Sequence, residues 1–428
     1  MKSLAVQGMQ WALAGAMALL AACGDVAYVG YTRKPVCMGE GVKCEVPENT
    51  EFAMTADPRT VPLIATEELK ATWSRPPLPS LQPGDTALLL GRTIAGNDGS
   101  LWTFGADAEQ FTVMQLDGDG NVLGTQQLQA PPGLRGTADD ISLSLLYNVS
   151  AGIPGPTAAL EWKQACQGDE LLSCERTELV AFGASVQDAA MRVLLGESET
   201  SALEASFLPP FAMREANGAD YLALSVVSAG WTTARLSAAG DIEWQQTGFP
   251  EGFQIPGALG SALVFSGPQQ LTLMGTLSEG GSATFFDLDW HSGNVIKRRG
   301  VDFTPSYDAV VRADPEGRLV MASSQNLDLV WGRLAGSAFE QITLLRQDYQ
   351  VPVLLGLEVG AQGTSYLLTR TGSRDNPVPT LCRLSAALEV SCWRTPELMI
   401  GPVVGPGEAV FGVGRNGELL RFDLPTQG

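Results

Sequence analysis

One unit recurs along this chain: an apolar run, a short turn rich in Asp, Gly and Asn, then a second apolar run. It stands as Val113-Met-Gln-Leu-Asp-Gly-Asp-Gly-Asn-Val-Leu123 and returns as Ala234-Arg-Leu-Ser-Ala-Ala-Gly-Asp-Ile-Glu-Trp244. Phe286-Asp-Leu-Asp-Trp-His-Ser-Gly-Asn-Val-Ile296 is a third copy, and Arg383-Leu-Ser-Ala-Ala-Leu-Glu-Val-Ser-Cys-Trp393 a degenerate fourth. Related turns occur in Asn97-Asp-Gly-Ser-Leu-Trp102, Asp314-Pro-Glu-Gly-Arg-Leu319 and Arg415-Asn-Gly-Glu-Leu419. Short apolar runs bounded by such residues are strands, because Gly, Asn and Asp tolerate the backbone that a tight reversal needs.

The spacing of these turns bounds the architecture. They recur about every 50 residues, with some wider gaps, and a repeat of that length carrying about four strands makes a β-propeller blade. The expected class is all-β: a single propeller of about seven four-stranded blades, six or eight also fitting the length. With 48 Gly and 26 Pro, the composition suits many short strands and turns. Two segments break the pattern: Glu67–Trp73 reads as a short helix, and Val186–Leu195 as an ambiguous one. A strand within residues 60–75 would complete the last blade and close the ring, removing an unpaired sheet edge. The motifs resemble the PQQ-like and WD40-like propeller repeats, over roughly residues 84–428. There a strand ending in Leu-Asp leads through a Gly turn to a strand carrying Trp. This chain departs from that pattern twice: no Trp follows Asn121, and no Gly stands near Leu388.

The N-terminus fixes an expected compartment. Lys2, an apolar run from Trp11 to Ala22 and the small residues before Cys23 have the layout of a secretory signal. The run is shorter than the ~20 residues of a spanning helix. Leu20-Ala21-Ala22-Cys23 resembles a bacterial lipoprotein signal, which implies a mature chain beginning at a lipidated Cys23. Gly24 in second place, where Asp would favour inner-membrane retention, points to the outer membrane of a Gram-negative envelope. The expected organisation is a signal at 1–22, a tether at 23–59 with a small disulfide hairpin, and the propeller at 60–428. Prolines 76, 77, 79 and 83 stiffen the chain just beyond the tether.

Setting Cys23 aside leaves six cysteines in three local pairs: Cys37 with Cys44, Cys166 with Cys174, and Cys382 with Cys392. Turn formers lie between the partners of the first two pairs, so each pair is expected to staple a hairpin, in keeping with an oxidising compartment. The spacings are too long for a thiolate metal cluster or a Cys-x-x-Cys redox site.

The formal charge is −20, which disfavours nucleic acid as a partner. The single His, His291, reads as a turn residue; any Ser-His-Asp hydrolase would have to use it, and no Gly-x-Ser-x-Gly elbow accompanies it. Asp117-Gly-Asp-Gly-Asn121 opens like a calcium loop, but Val122 and Leu128 stand where that loop needs Gly and Glu. Asp139 with Asp140, and Asp287 with Asp289, are the carboxylates available to a glycosidase or lyase. No adjacent Cys-Cys accompanies them, so quinone binding is not implied, and no cofactor or metal is expected. The Trp residues at 102, 162, 231, 244, 290, 331 and 393 are expected to dock blade onto blade. The resulting expectation is a non-enzymatic, membrane-anchored platform that binds protein or glycan. The alternative is a carbohydrate-active hydrolase or lyase with acids at the channel.

Overall fold

A computed structural model describes residues 50–76 and, between 92 and 425, the strands and most of the tight turns. Residues 1–49 and 77–91 lie outside that set, as do several connections, among them 130–141, 202–210, 248–262 and 346–353. Cys23, Cys37, Cys44, Asp139 and Asp140 fall outside it too. The described residues are all-β, with one 3-10 turn at Pro406–Glu408 and no α-helix.

Two strands precede the repeats, β1 (Thr50–Pro62) and β2 (Trp73–Arg75). β1 begins upstream of residue 60, where the sequence reading starts the propeller. Sheet I is β3 (Arg92–Ala95), β4 (Leu101–Ala106), β5 (Gln110–Leu116) and β6 (Val122–Gln129). Sheet II is β7 (Ser142–Ser144), β8 (Thr157–Cys166), β9 (Asp169–Ala181) and β10 (Met191–Ser201). Sheet III is β11 (Phe211–Arg214), β12 (Tyr221–Val227), β13 (Gly230–Leu236) and β14 (Ile242–Thr247). Sheet IV is β15 (Leu263–Gly267), β16 (Gln270–Thr276), β17 (Ala283–Asp289) and β18 (Val295–Val301). Sheet V is β19 (Val310–Ala313), β20 (Leu319–Gln325), β21 (Asp328–Ala335) and β22 (Ala338–Leu345). Sheet VI is β23 (Leu354–Val359), β24 (Ser365–Ser373), β25 (Asn376–Leu384) and β26 (Val390–Arg394). Sheet VII is β27 (Leu398–Val404), β28 (Val410–Gly414) and β29 (Leu419–Phe422), completed by β2 on β29.

Successive strands within a sheet pair antiparallel, so each sheet is a meander. β1 lies between the outer edges of β18 and β22 and fuses sheets IV and V into one nine-stranded sheet. With β1 set aside, the described strands make seven four-stranded groups. Inner strands β15, β19, β23 and β27 touch in succession, and β27 touches β3 of sheet I. Trp102 and Phe182 meet at 5.7 Å across sheets I and II, β8 meets β11 across II and III, and Trp244 donates to the Trp290 carbonyl across III and IV. The last sheet therefore sits beside the first, and the fold is a β-propeller.

One hairpin turn recurs because its hydrogen bonds are the same. In residues 117–121, 314–318, 360–364, 385–389, 405–409 and 414–418, the first N–H donates to the fifth carbonyl, and the fourth N–H to the first carbonyl. The turn at 289–294 is one residue longer and keeps both bonds. The residue that donates to the first carbonyl has a left-handed backbone, φ +61° to +83°. Gly fills it at 120, 293, 317, 363 and 417, while Leu388 and Glu408 hold it without the freedom of Gly. The repeat is thus kept at Leu388, where the glycine is missing.

The segment expected to form a helix at Glu67–Trp73 is extended. Its backbone groups bond outward: Leu69 N–H to Arg394 O at 2.9 Å, Arg394 N–H to Glu67 O at 2.8 Å, and Thr72 N–H to Arg421 O at 2.6 Å. Pairing with sheet edges displaces the local bonds a helix would need. The described residues of Val186–Leu195 hold no helix: a turn through Asp188, and β10 from Met191. Residues 50–75 form a strap along the outer rims of sheets IV to VII. One strap side chain or more enters each seam. Ala53 joins the core between IV and V, Leu63 that between V and VI, Leu69 and Ala71 that between VI and VII, and Trp73 that between VII and I. Burial of apolar groups at about 25 cal/mol per Å² makes each insertion a stabilising link between neighbours.

Candidate functional site

Alternating strand direction sorts the connections between the two ends of the ring. At one end the five- and six-residue turns at 117–121, 289–294, 314–318, 360–364, 385–389 and 405–409 close sheets I, IV, V, VI and VII. The connections from each sheet to the next begin and end at the opposite end: 130–141, 202–210, 248–262, 302–309, 346–353 and 395–397. Binding residues concentrate on long connections held by a rigid scaffold, so this second end is the candidate docking end. A shallow cleft of about 450 Å³ opens there, lined by Ser74, Pro396, Glu397, Arg415, Asn416, Glu418 and Leu420. Arg415, Asn416 and Glu397 are exposed, and the Glu418 carboxylate accepts the Asn416 N–H at 2.7 Å. The cleft offers donors and acceptors of both charges, which suits a polar partner.

The carboxylates singled out from sequence have structural partners. Asp117 Oδ1 accepts the N–H groups of Asp119 and Asn121, and Oδ2 accepts the Asn121 amide at 2.8 Å. The Asn121 side-chain bond, above all, holds the Asp117 carboxyl below its ordinary range. Both oxygens serve the turn, and the calcium-like spacing is that of a hairpin. Asp289 does the same for His291 and Ser292; the Ser292 hydroxyl is the main cause of its lowered pKa. Asp287 is buried and bonded to Arg299 at 2.5 Å and to the Thr272 hydroxyl at 2.6 Å. His291 is exposed, with Nδ1 3.0 Å from an Arg235 nitrogen. Asp289 meets its backbone and not the imidazole, so the two do not form a His-Asp pair. Among the described residues no cluster of three or more His, Cys, Asp or Glu could hold a metal ion.

The cysteines divide. Cys382 and Cys392 are cross-strand partners of β25 and β26 joined by a disulfide, 4.1 Å between Cα atoms. In β8 and β9 the register sets Gln164, not Cys166, opposite Cys174; their side chains lie outside the described residues.

A functional row escaped the sequence reading. Arg235, Arg333, Arg383 and Arg421 each stand next to the last or near-last apolar residue of the third strand of their sheet. Each donates to a carbonyl in the segment that follows the third strand of the next sheet: Trp290 O, Ala386 O, Pro425 O and Gly118 O. Each also lies over an aromatic ring, 5.0 to 5.9 Å from its centroid. Gln115 does the same for sheet II, donating to Ala184 O and accepting from Val186 N–H. The signal was present as Arg-Leu at 235–236, 333–334 and 383–384 and Arg-Phe at 421–422. These side chains latch each sheet to the next.

A second point of interest is Glu408. Its left-handed backbone places the carboxylate against the Tyr366 hydroxyl at 2.7 Å. Burial first, then this bond, pushes the Tyr366 phenol above its ordinary range and keeps it protonated. At the inner wall Arg312 and Glu358, on β19 and β23, pair at 3.2 Å.

No family model matches this chain. No curated protein matches it either. Among solved structures it is similar to BamB from Moraxella catarrhalis at 14% identity and a TM-score of 0.36, covering 84% of this chain and 99% of that one. TolB from Acinetobacter baumannii matches at 10% identity and 0.33, covering 76% and 79%. An acylaminoacyl peptidase matches at 8% identity and 0.45, covering 78% of this chain and 52% of that one. At such scores the fold assignment rests on the chain's own sheets and seams.

Proposed function

We propose that this chain is a lipid-anchored, extracytoplasmic propeller that serves as a docking platform for protein or glycan. The observation that carries the reading is that the connections from sheet to sheet lie at one end of the ring, which also bears the cleft lined by Pro396, Glu397 and Arg415. The engaged state of Asp117, Asp287 and Asp289 supports the platform over a hydrolase, since none of the three is free to act as acid or base on a substrate. Cys23 is the anchor in this reading, and the outer membrane its site.

The test is a pull-down from native envelopes with the intact lipidated chain. Arg415→Glu at the cleft is expected to reduce recovery of the bound species several-fold, while Asp119→Lys at the turn end leaves it unchanged. Loss with Asp119→Lys and none with Arg415→Glu would reverse the assignment of ends. Cys23→Ser is expected to release the protein from membranes; unchanged retention contradicts the anchor.

A further inference from the structure

Sheets IV and V each have their four strands without β1, as every other sheet does. β1 is therefore supernumerary, a strand added between two finished edges. It runs parallel to β22, with seven Cα partners from Met54 to Pro62, an arrangement no hairpin can make. Backbone pairing carries most of this contact: of the side chains described in β1, only Ala53 is buried. Such a peripheral strand opens at lower cost than the core it lies on.

We infer that the outer edges of β18 and β22 form a strand-receiving groove, filled in cis by residues 50–62 and able to take the same segment from a second copy of this chain. The groove reads this particular sequence. Gly300 leaves room that the Phe52 ring occupies, and a Cβ there would collide with it. Lys297 pairs with Glu51 at 2.7 Å, and the small Ala53 fits the seam between sheets IV and V. A second copy carries all three features and the same register, so it is the partner whose chemistry matches best. Exchange of an identical element between copies is a low-cost route to association.

The register supplies the experiment. Thr60 and Thr343 are partners across β1 and β22. Two differently tagged full-length mature chains, one with Thr60→Cys and one with Thr343→Cys, are mixed and oxidised. A disulfide-linked heterodimer is expected, its fraction rising with concentration. Glu51→Lys in the first chain should lower that fraction several-fold, and Lys297→Glu in the second should restore it. A single chain carrying both cysteines controls for folding and register and should close an internal bond. Internal closure with no heterodimer at any concentration overturns the inference. So does cross-linking of the Thr343→Cys chain only to a different envelope protein, or a heterodimer indifferent to the charge exchange.

Discussion

Residue 120 shows how a single backbone angle organises this molecule. Gly120 has φ +79°, and a Cβ there would press on the Trp73 indole and the Arg75 guanidinium. Gly120→Ala is expected to cost about 1–3 kcal/mol through left-handed strain and displacement of the ring-closing strand. Urea unfolding checks this, and Gly293→Ala against Trp244 should behave alike. Leu388→Gly relieves the same strain but removes a side chain packed on the core between sheets V and VI, so the two effects offset to within about 1 kcal/mol. Asp117 and Asp289 titrate below the usual carboxylate range when folded. Their stabilisation is complete above the unfolded pKa and is lost as pH falls through the lower, folded one. Thermal melts between about pH 5 and 2 should show a shallower acid-side fall for Asp117→Asn than for the parent. The Asp-Gly turns were legible in sequence because Gly and Asp are the residues that make them easy. Leu388 and Glu408 were not, since the turn requires a left-handed angle that Gly adopts freely and that these two residues hold without its freedom.

At the scale of elements, the seams hold the ring. Arg333 pairs with Glu340 at 2.6 Å and reaches Ala386 O in the next sheet, with a side chain 7% exposed. Arg333→Ala is expected to cost about 1.5–3 kcal/mol, the range for a hydrogen bond to a charged group. The Asp287–Arg299 pair makes a sharper case. Removing one partner strands a buried charge, so Arg299→Met should cost about 3–5 kcal/mol, and adding Asp287→Leu should recover part of that loss. A double-mutant cycle measures both. Strand periodicity and turn chemistry exposed the meanders, which are local. The strap was legible only in part: a ring-closing strand was expected within residues 60–75, but Glu67–Trp73 has the composition of a helix, and the distant backbone groups of Arg394 and Arg421 make it extended. The arginine row was visible as a recurring pair of letters, but its meaning depends on the carbonyl that the next sheet presents.

For the whole molecule, one segment of 26 residues, 50–75, links sheets IV, V, VI and VII and reaches sheet I through Arg75 Nη2 to Asp119 O at 3.0 Å. Its β2 completes the last sheet by pairing with β29. The pairing of β2 on β29 sews the ring shut. Hydrogen exchange, followed by mass spectrometry on peptides covering residues 70–76 and 418–424, tests it most directly. Both peptides are expected to be protected and to lose protection together at one denaturant concentration. Rapid exchange of residues 70–76 while 418–424 stay protected would contradict it.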